Sequence, residues 1–186
     1  MLERLNYRSN KNIDLGASLL NGQGSGPLSI CRLGLFPMSY NGCEMIAAYN
    51  LRLLMGKPKP LSEITREIYP YGVFFWGIFG TNPLALKRYF RENGLPVQTE
   101  LDDGRFRQSF AGAQYGILSF WNSDKTIFKG IHTVAVENTP DGLKVYNCTN
   151  RQVDPVTFPS LDAYMQGKKF ICGYYAEPNK KVYEKI

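Results

Sequence analysis

The chain has 186 residues, 44% of them hydrophobic and 20% charged, a globular balance that excludes intrinsic disorder and suits a single domain. The net charge is +6, but the basic residues are scattered and accompany no nucleic-acid-binding motif, so nucleic acid is not an expected partner. The longest apolar stretch, Val73 to Phe79, is broken by Gly77 and falls far short of the roughly 20 residues a bilayer demands, so no membrane span is expected.

Residues 1–28 are polar and contain Asn21-Gly-Gln-Gly-Ser-Gly26, which reads as a flexible loop within an N-terminal arm or lead-in. Residues 29–186 then form the one domain. Met1 to Asp14 alternate charge with Asn and do not resemble a secretory signal. The four cysteines, Cys31, Cys43, Cys148 and Cys172, are widely spaced with no C-x-x-C. Free thiols in a reducing compartment, the cytoplasm, are the expectation.

The first strong helix starts near Cys43, with Ser39 or Asn41 as cap and Glu44 suited to the positive end of the dipole. Ile46, Ala47, Asn50, Leu53 and Leu54 recur at helical spacing, and Gly56 and Pro58 stop it. A short helix over Ser62 to Tyr69 ends at Pro70. A third is capped by Thr81 or Asn82, carries Pro83 in its first turn and ends at Gly94. Between them lies the aromatic, glycine-rich run 71–80, read as core or cleft wall rather than as a cofactor site. Tyr115 to Trp121, Thr133 to Glu137 and Leu143 to Tyr146 read as strands, the last two joined by the turn Thr139-Pro-Asp-Gly142. Ser160 to Met165 reads as a short helix and Phe170 to Tyr175 as a closing strand. Helices first and strands later predict an α+β fold with an antiparallel sheet.

There is one histidine, His132, which excludes a multi-histidine metal site within the chain, and no cysteine pair has zinc-ligand spacing. No phosphate-binding G-x-x-x-x-G-K-[ST] and no G-x-S-x-G is present. No metal and no cofactor is therefore expected. Cys43, in Tyr40-Asn-Gly-Cys-Glu-Met-Ile46, sits at a helix start, where unpaired N–H groups and the dipole stabilise a thiolate and help hold an oxyanion. His132 opens a strand in Gly130-Ile-His-Thr-Val-Ala-Val136. Asn147 follows the next strand, near the same end of the hairpin, where it would orient the imidazole. Asn150 and Asp154 compete for that role.

This order resembles the papain-like cysteine peptidases of the C39-like type. Cys43-Glu-Met-Ile-Ala-Ala-Tyr-Asn-Leu-Arg-Leu-Leu-Met-Gly56 is similar to the family's first helix. His132-Thr-Val-Ala-Val136 with Val145-Tyr-Asn147 is similar to its catalytic hairpin. The resemblance spans roughly Pro37 to Tyr175. It implies N-terminal helices packed on an antiparallel sheet, Cys43 as nucleophile, His132 as base and Asn147 as orienting residue. It also implies a peptide or protein substrate whose peptide or amide bond is cleaved through an acyl-thioenzyme. Two positions depart from the family: Glu44 and Met45 stand where Gly and Pro usually follow the cysteine, and the stretch 34–42 holds no oxyanion glutamine. Asn41, with Ser39 and Tyr40 as alternatives, joins the Cys43 N–H as the expected oxyanion hole; a lost donor costs about 3 kcal/mol of barrier. These departures keep two alternatives open: an acyltransferase using the same pair, and a non-catalytic peptide-binding module on the same fold.

Overall fold

The computed structural model describes residues 1–176; positions 177–186 of the expected domain lie outside the described residues. Helix α1 (Leu2–Asn10) opens the chain and is held by two buried asparagines. Asn6 donates to the Gly34 carbonyl at 2.9 Å and Asn10 to the Arg32 carbonyl at 2.8 Å. These bonds tie the arm to the small antiparallel pair β1 (Arg32–Leu33) and β2 (Phe36–Pro37). Leu20 and Leu28, also in the arm, are core residues. The glycine-rich stretch expected to be flexible is pinned: the Gly24 N–H donates to the Asn150 carbonyl at 2.8 Å. A polar segment carries no periodic signal, and its anchors lie at the far end of the chain.

Two helices follow in direct succession, α2 (Met38–Asn41) and α3 (Cys43–Leu54). Gly42 is the N-cap of α3 and no side chain caps it, so neither Ser39 nor Asn41 plays that role; both belong to α2. The junction needs a glycine, because a Cβ at position 42 would sit 2.7 Å from the Met38 carbonyl oxygen. Helix α3 buries Met45, Ile46, Ala47, Ala48 and Leu51. Helix α4 (Leu61–Gly72) carries Pro70 inside its last turn instead of ending there. A proline that near the end removes one N–H bond but leaves the buried Ile64 and Ile68 packing intact. Helix α5 (Ala85–Glu92) starts after Pro83, and Asn82 caps the turn leading into it by accepting from the Leu84 N–H at 3.1 Å.

The second half supplies β3 (Val97–Glu100), α6 (Asp103–Phe110), β4 (Tyr115–Trp121), β5 (Ile131–Thr139), β6 (Gly142–Tyr146), β7 (Val156–Phe158), α7 (Leu161–Met165) and β8 (Lys169–Ala176). Six of these strands form one antiparallel sheet in the order β3-β8-β4-β5-β6-β7. The fold is α+β. The β5–β6 hairpin pairs Thr139 with Gly142, at the turn the sequence marks. The short edge strands β3 and β7 and the polar α6 have no strong pattern and were not expected. One face of the sheet, through Ile117, Cys172 and Tyr174, packs on α3, α4 and α5. The other, through Leu118, Phe120, Val134 and Val136, packs on Phe106 and Phe110 of α6 and Tyr164 and Met165 of α7. Among the described residues no helix is long and apolar enough to cross a membrane.

The aromatic run forms a loop closed by a Val73–Thr81 bridge. Phe75 and Trp76 adopt φ of 44° and 55°, a conformation costly for bulky side chains. Its partner is Gly34, with φ of 67°, whose backbone lies against the Trp76 carbonyl; the Leu35 N–H donates to that carbonyl at 2.8 Å. A methyl group at position 34 would collide with it. Gly34→Ala is expected to cost about 2–4 kcal/mol, from the left-handed penalty and the displaced loop. The check is the urea midpoint, which should fall with little change in slope.

Candidate active site

A cleft of about 730 Å³ opens where the N-terminus of α3 meets the start of β5. Ile78 to Thr81, Trp121, Asn122 and residues 128–131 line it. Cys43, His132 and Thr133 line it too, and Gln23, Ser39, Tyr40, Asn41 and Asn150 complete it. The aromatic run is thus cleft wall in its second half. Asp154 is exposed and does not line the cleft.

Cys43 keeps part of its surface open to the cleft, yet protein surrounds its sulfur. Burial is the largest influence and pushes the thiol above its ordinary value of 9.0. The backbone and hydroxyl of Thr133 and the N–H groups of Cys43 and Glu44 pull it back. The N–H groups of Cys43 and Glu44 are those a helix N-terminus leaves unpaired. At neutral pH the resting group is a thiol.

His132 pairs with Phe120 across β4 and β5, and the two rings meet edge-on with centroids 6.0 Å apart. Its Nε2 lies 2.8 Å from the Asn147 carbonyl oxygen. A carbonyl only accepts, so Nε2 carries the proton and the neutral ring's basic lone pair is at Nδ1. Burial lowers the imidazole below its ordinary 6.5; the Asn147 and Cys148 backbone raises it, and Lys168 lowers it again. Because side chains alternate along β5, Thr133 faces Ser119, their hydroxyls 2.9 Å apart, and reaches Cys43. Cys43 and His132 both line the cleft, but each has its own partner, Thr133 and Asn147, and no hydrogen bond joins thiol to imidazole.

Asn147 orients the ring through its backbone, not through the side chain expected from sequence. It is fully buried with φ of 58°, a conformation asparagine tolerates. Its side chain is spent on Gln23: Oδ1 accepts from the Gln23 N–H at 3.1 Å and Nδ2 donates to Gln23 Oε1 at 2.8 Å. Its own N–H donates to Asn21 Oδ1 at 2.7 Å. Asn150 lines the cleft but donates to the Ser39 carbonyl at 2.9 Å.

The expected oxyanion donor Asn41 is also engaged elsewhere. Its amide nitrogen donates to the Leu33 carbonyl at 3.2 Å and the Gly77 carbonyl at 3.1 Å, leaving only the acceptor Oδ1 without a partner. An acceptor cannot hold an oxyanion. The backbone N–H groups at the start of α3 remain, and Tyr40 stands at the rim with its hydroxyl donating to the Ile78 carbonyl at 3.3 Å.

Two residues passed over in the sequence belong to the site. Gln23 comes from the arm, 20 positions ahead of Cys43 in the sequence. It donates to the Met38 and Ser39 carbonyls at 3.2 and 3.1 Å while gripping Asn147, so it couples α2 to the residue that holds His132. The only sequence signal was a long polar side chain between two glycines. Glu44 is completely buried, and neither carboxylate oxygen meets a well-aligned donor, with the Thr81 hydroxyl a nearby polar neighbour. Burial holds it well above its ordinary 4.5, opposed by the Thr81 hydroxyl and reinforced by Cys43.

Of the other cysteines, Cys31 and Cys172 are buried and Cys148 is half-buried like Cys43. Burial pushes Cys31 and Cys172 each up to about 11. Cys148 is raised by burial and moderated by Lys168 and Tyr164. All four are free thiols. Among the described residues no three His, Cys, Asp or Glu side chains are arranged to hold a metal ion. No family model matches the chain, and no curated protein matches it.

Proposed function

We propose that this chain is a thiol hydrolase on a papain-like, C39-like fold, cleaving a peptide or amide bond through an acyl-thioenzyme. The observation that carries the reading is the sharing of one cleft by a helix-start cysteine and the chain's only histidine, its Nε2 already held by Asn147. Cys43 Sγ attacks the carbonyl carbon as Nδ1 of His132 takes the thiol proton. The Asn147 carbonyl holds the imidazolium that forms. The N–H groups of Cys43 and Glu44 stabilise the developing oxyanion in a partly desolvated site. His132 returns the proton to the leaving amine, and water completes the cycle. With the thiol raised and the imidazole lowered by burial, proton transfer accompanies attack rather than preceding it. The four free thiols fit a reducing compartment such as the cytoplasm.

Transfer of the acyl group to an amine instead of water uses the same steps. One observation favours a different reading, a peptide-binding module without turnover: the Cys43 thiol is bonded to Thr133 and not to His132. An activated acyl ester separates the readings. Mass spectrometry should show acylation confined to Cys43 and absent in Cys43→Ala. Acyl groups distributed over Cys31, Cys148 and Cys172, or none at all, would favour the binding module.

A further inference from the structure

The mouth of the cleft exposes an unusual amount of aromatic surface. Tyr40, Phe79 and Phe128 are 61%, 72% and 95% exposed, and all three line it from separate segments of the chain. The backbone holds them out. Gly77 and Gly80 flank Ile78 and Phe79 with φ of 92° and 75°, and Gly130 follows Phe128 with φ of 74°. Apolar surface clustered at a concave site marks a place for a ligand rather than a random excess.

The charge of the cleft is equally one-sided. Lys129 is the one Lys or Arg lining it, and no Asp or Glu does. It directly follows Phe128 in the sequence, in a chain whose net charge is +6.

We infer that the cleft binds an extended peptide with bulky, preferably aromatic, side chains against Phe79 and Phe128 and a carboxylate facing Lys129. Phe79 and Phe128 supply the affinity, because bulky side chains bury their exposed aromatic area. Lys129 is solvent-exposed and mainly sets charge selectivity. A basic side chain at that place meets a like charge, and a peptide of small residues leaves both rings wet. The inference rests on the acyl-thioenzyme reading for the substrate class it names, but the binding it describes does not require Cys43 to react.

The test therefore uses Cys43→Ala, which binds without turnover. Adding Trp76→Phe leaves Trp121, which lines the cleft, as the remaining tryptophan and the fluorescent reporter. Two acetylated peptides with a Phe-Phe core are titrated, one ending in Glu and the other in an amidated Lys. The acidic peptide should bind about fivefold tighter, with the gap narrowing as salt is raised. Lys129→Glu should reverse the preference, and replacing both Phe by Gly should weaken binding about tenfold or more. Equal affinity for the two peptides, or indifference to Lys129→Glu, overturns the inference. So does a Trp121 response to anionic vesicles or to self-association with none to peptide. Normal peptide binding in a chain whose native Cys43 resists acylation instead removes the catalytic reading and leaves this one standing.

Discussion

Replacing His132 by alanine is expected to slow acylation of Cys43 by about 10²–10⁴-fold, the usual contribution of a positioned general base. The pH profile carries further information. Nδ1 accepts a proton only while the ring is neutral, and burial lowers the imidazole below 6.5. The neutral form therefore persists into mildly acidic solution, and the acylation rate should hold its plateau through pH 6.5 and fall only below it. The raised thiol predicts a second rise at alkaline pH, where thiolate forms without help; that limb should survive in His132→Ala. Rates measured by mass spectrometry, with circular dichroism to check folding, decide the matter. An acidic limb at or above pH 6.5, or an unaffected variant, would remove His132 from the mechanism.

Glu44→Gln is expected to change how stability depends on pH more than any other single substitution near the cleft. The carboxyl of Glu44 lies among Cys43, Thr81, Tyr71, Cys172 and Tyr174, and no cation acts on it. Its folded value is raised well above the ordinary 4.5 by burial, so the folded state keeps a proton the unfolded chain has released. The contribution to stability is complete below the ordinary glutamate range and is lost as pH rises toward the folded value. The slope reaches about 1.4 kcal/mol per pH unit where the two states differ by one proton. Glutamine does not titrate, so the variant's stability should be flatter from pH 5 upward and exceed the native chain's at pH 8. Urea titrations at a series of pH values test this. Parallel curves for the two proteins would show that Glu44 ionises freely in the folded state. This buried acid directly follows Cys43, and it disfavours thiolate there only where it is itself ionised.

What local sequence determined was the scaffold near the chemistry. The helix starting at Cys43, the hairpin at Thr139–Gly142, and β4, β5, β6 and β8 all follow from apolar spacing and turn residues within a few positions of one another. Such signals are written into short windows because side-chain burial and turn geometry are local. The same logic made the scarcity of histidine informative, since one residue cannot be replaced by a neighbour. The edges β3 and β7, both short and partly exposed, gave no comparable pattern.

Only the tertiary structure decided which polar groups serve the site. Asn41 looked available beside Cys43, but its donors are taken by the Leu33 carbonyl of β1 and the Gly77 carbonyl of the aromatic loop. Asn147 was legible as the residue beside His132, yet its carbonyl, not its amide, meets the ring, because Gln23 claims the amide from 124 positions away. Hydrogen-bonding capacity is a property of a side chain, but its allocation depends on every partner the fold brings within about 3 Å. For the same reason Glu44 read as a favourable first-turn charge and proved to be a sealed acid without a well-aligned donor: the helix dipole is a local effect, and burial is set by the sheet and loops that close over it.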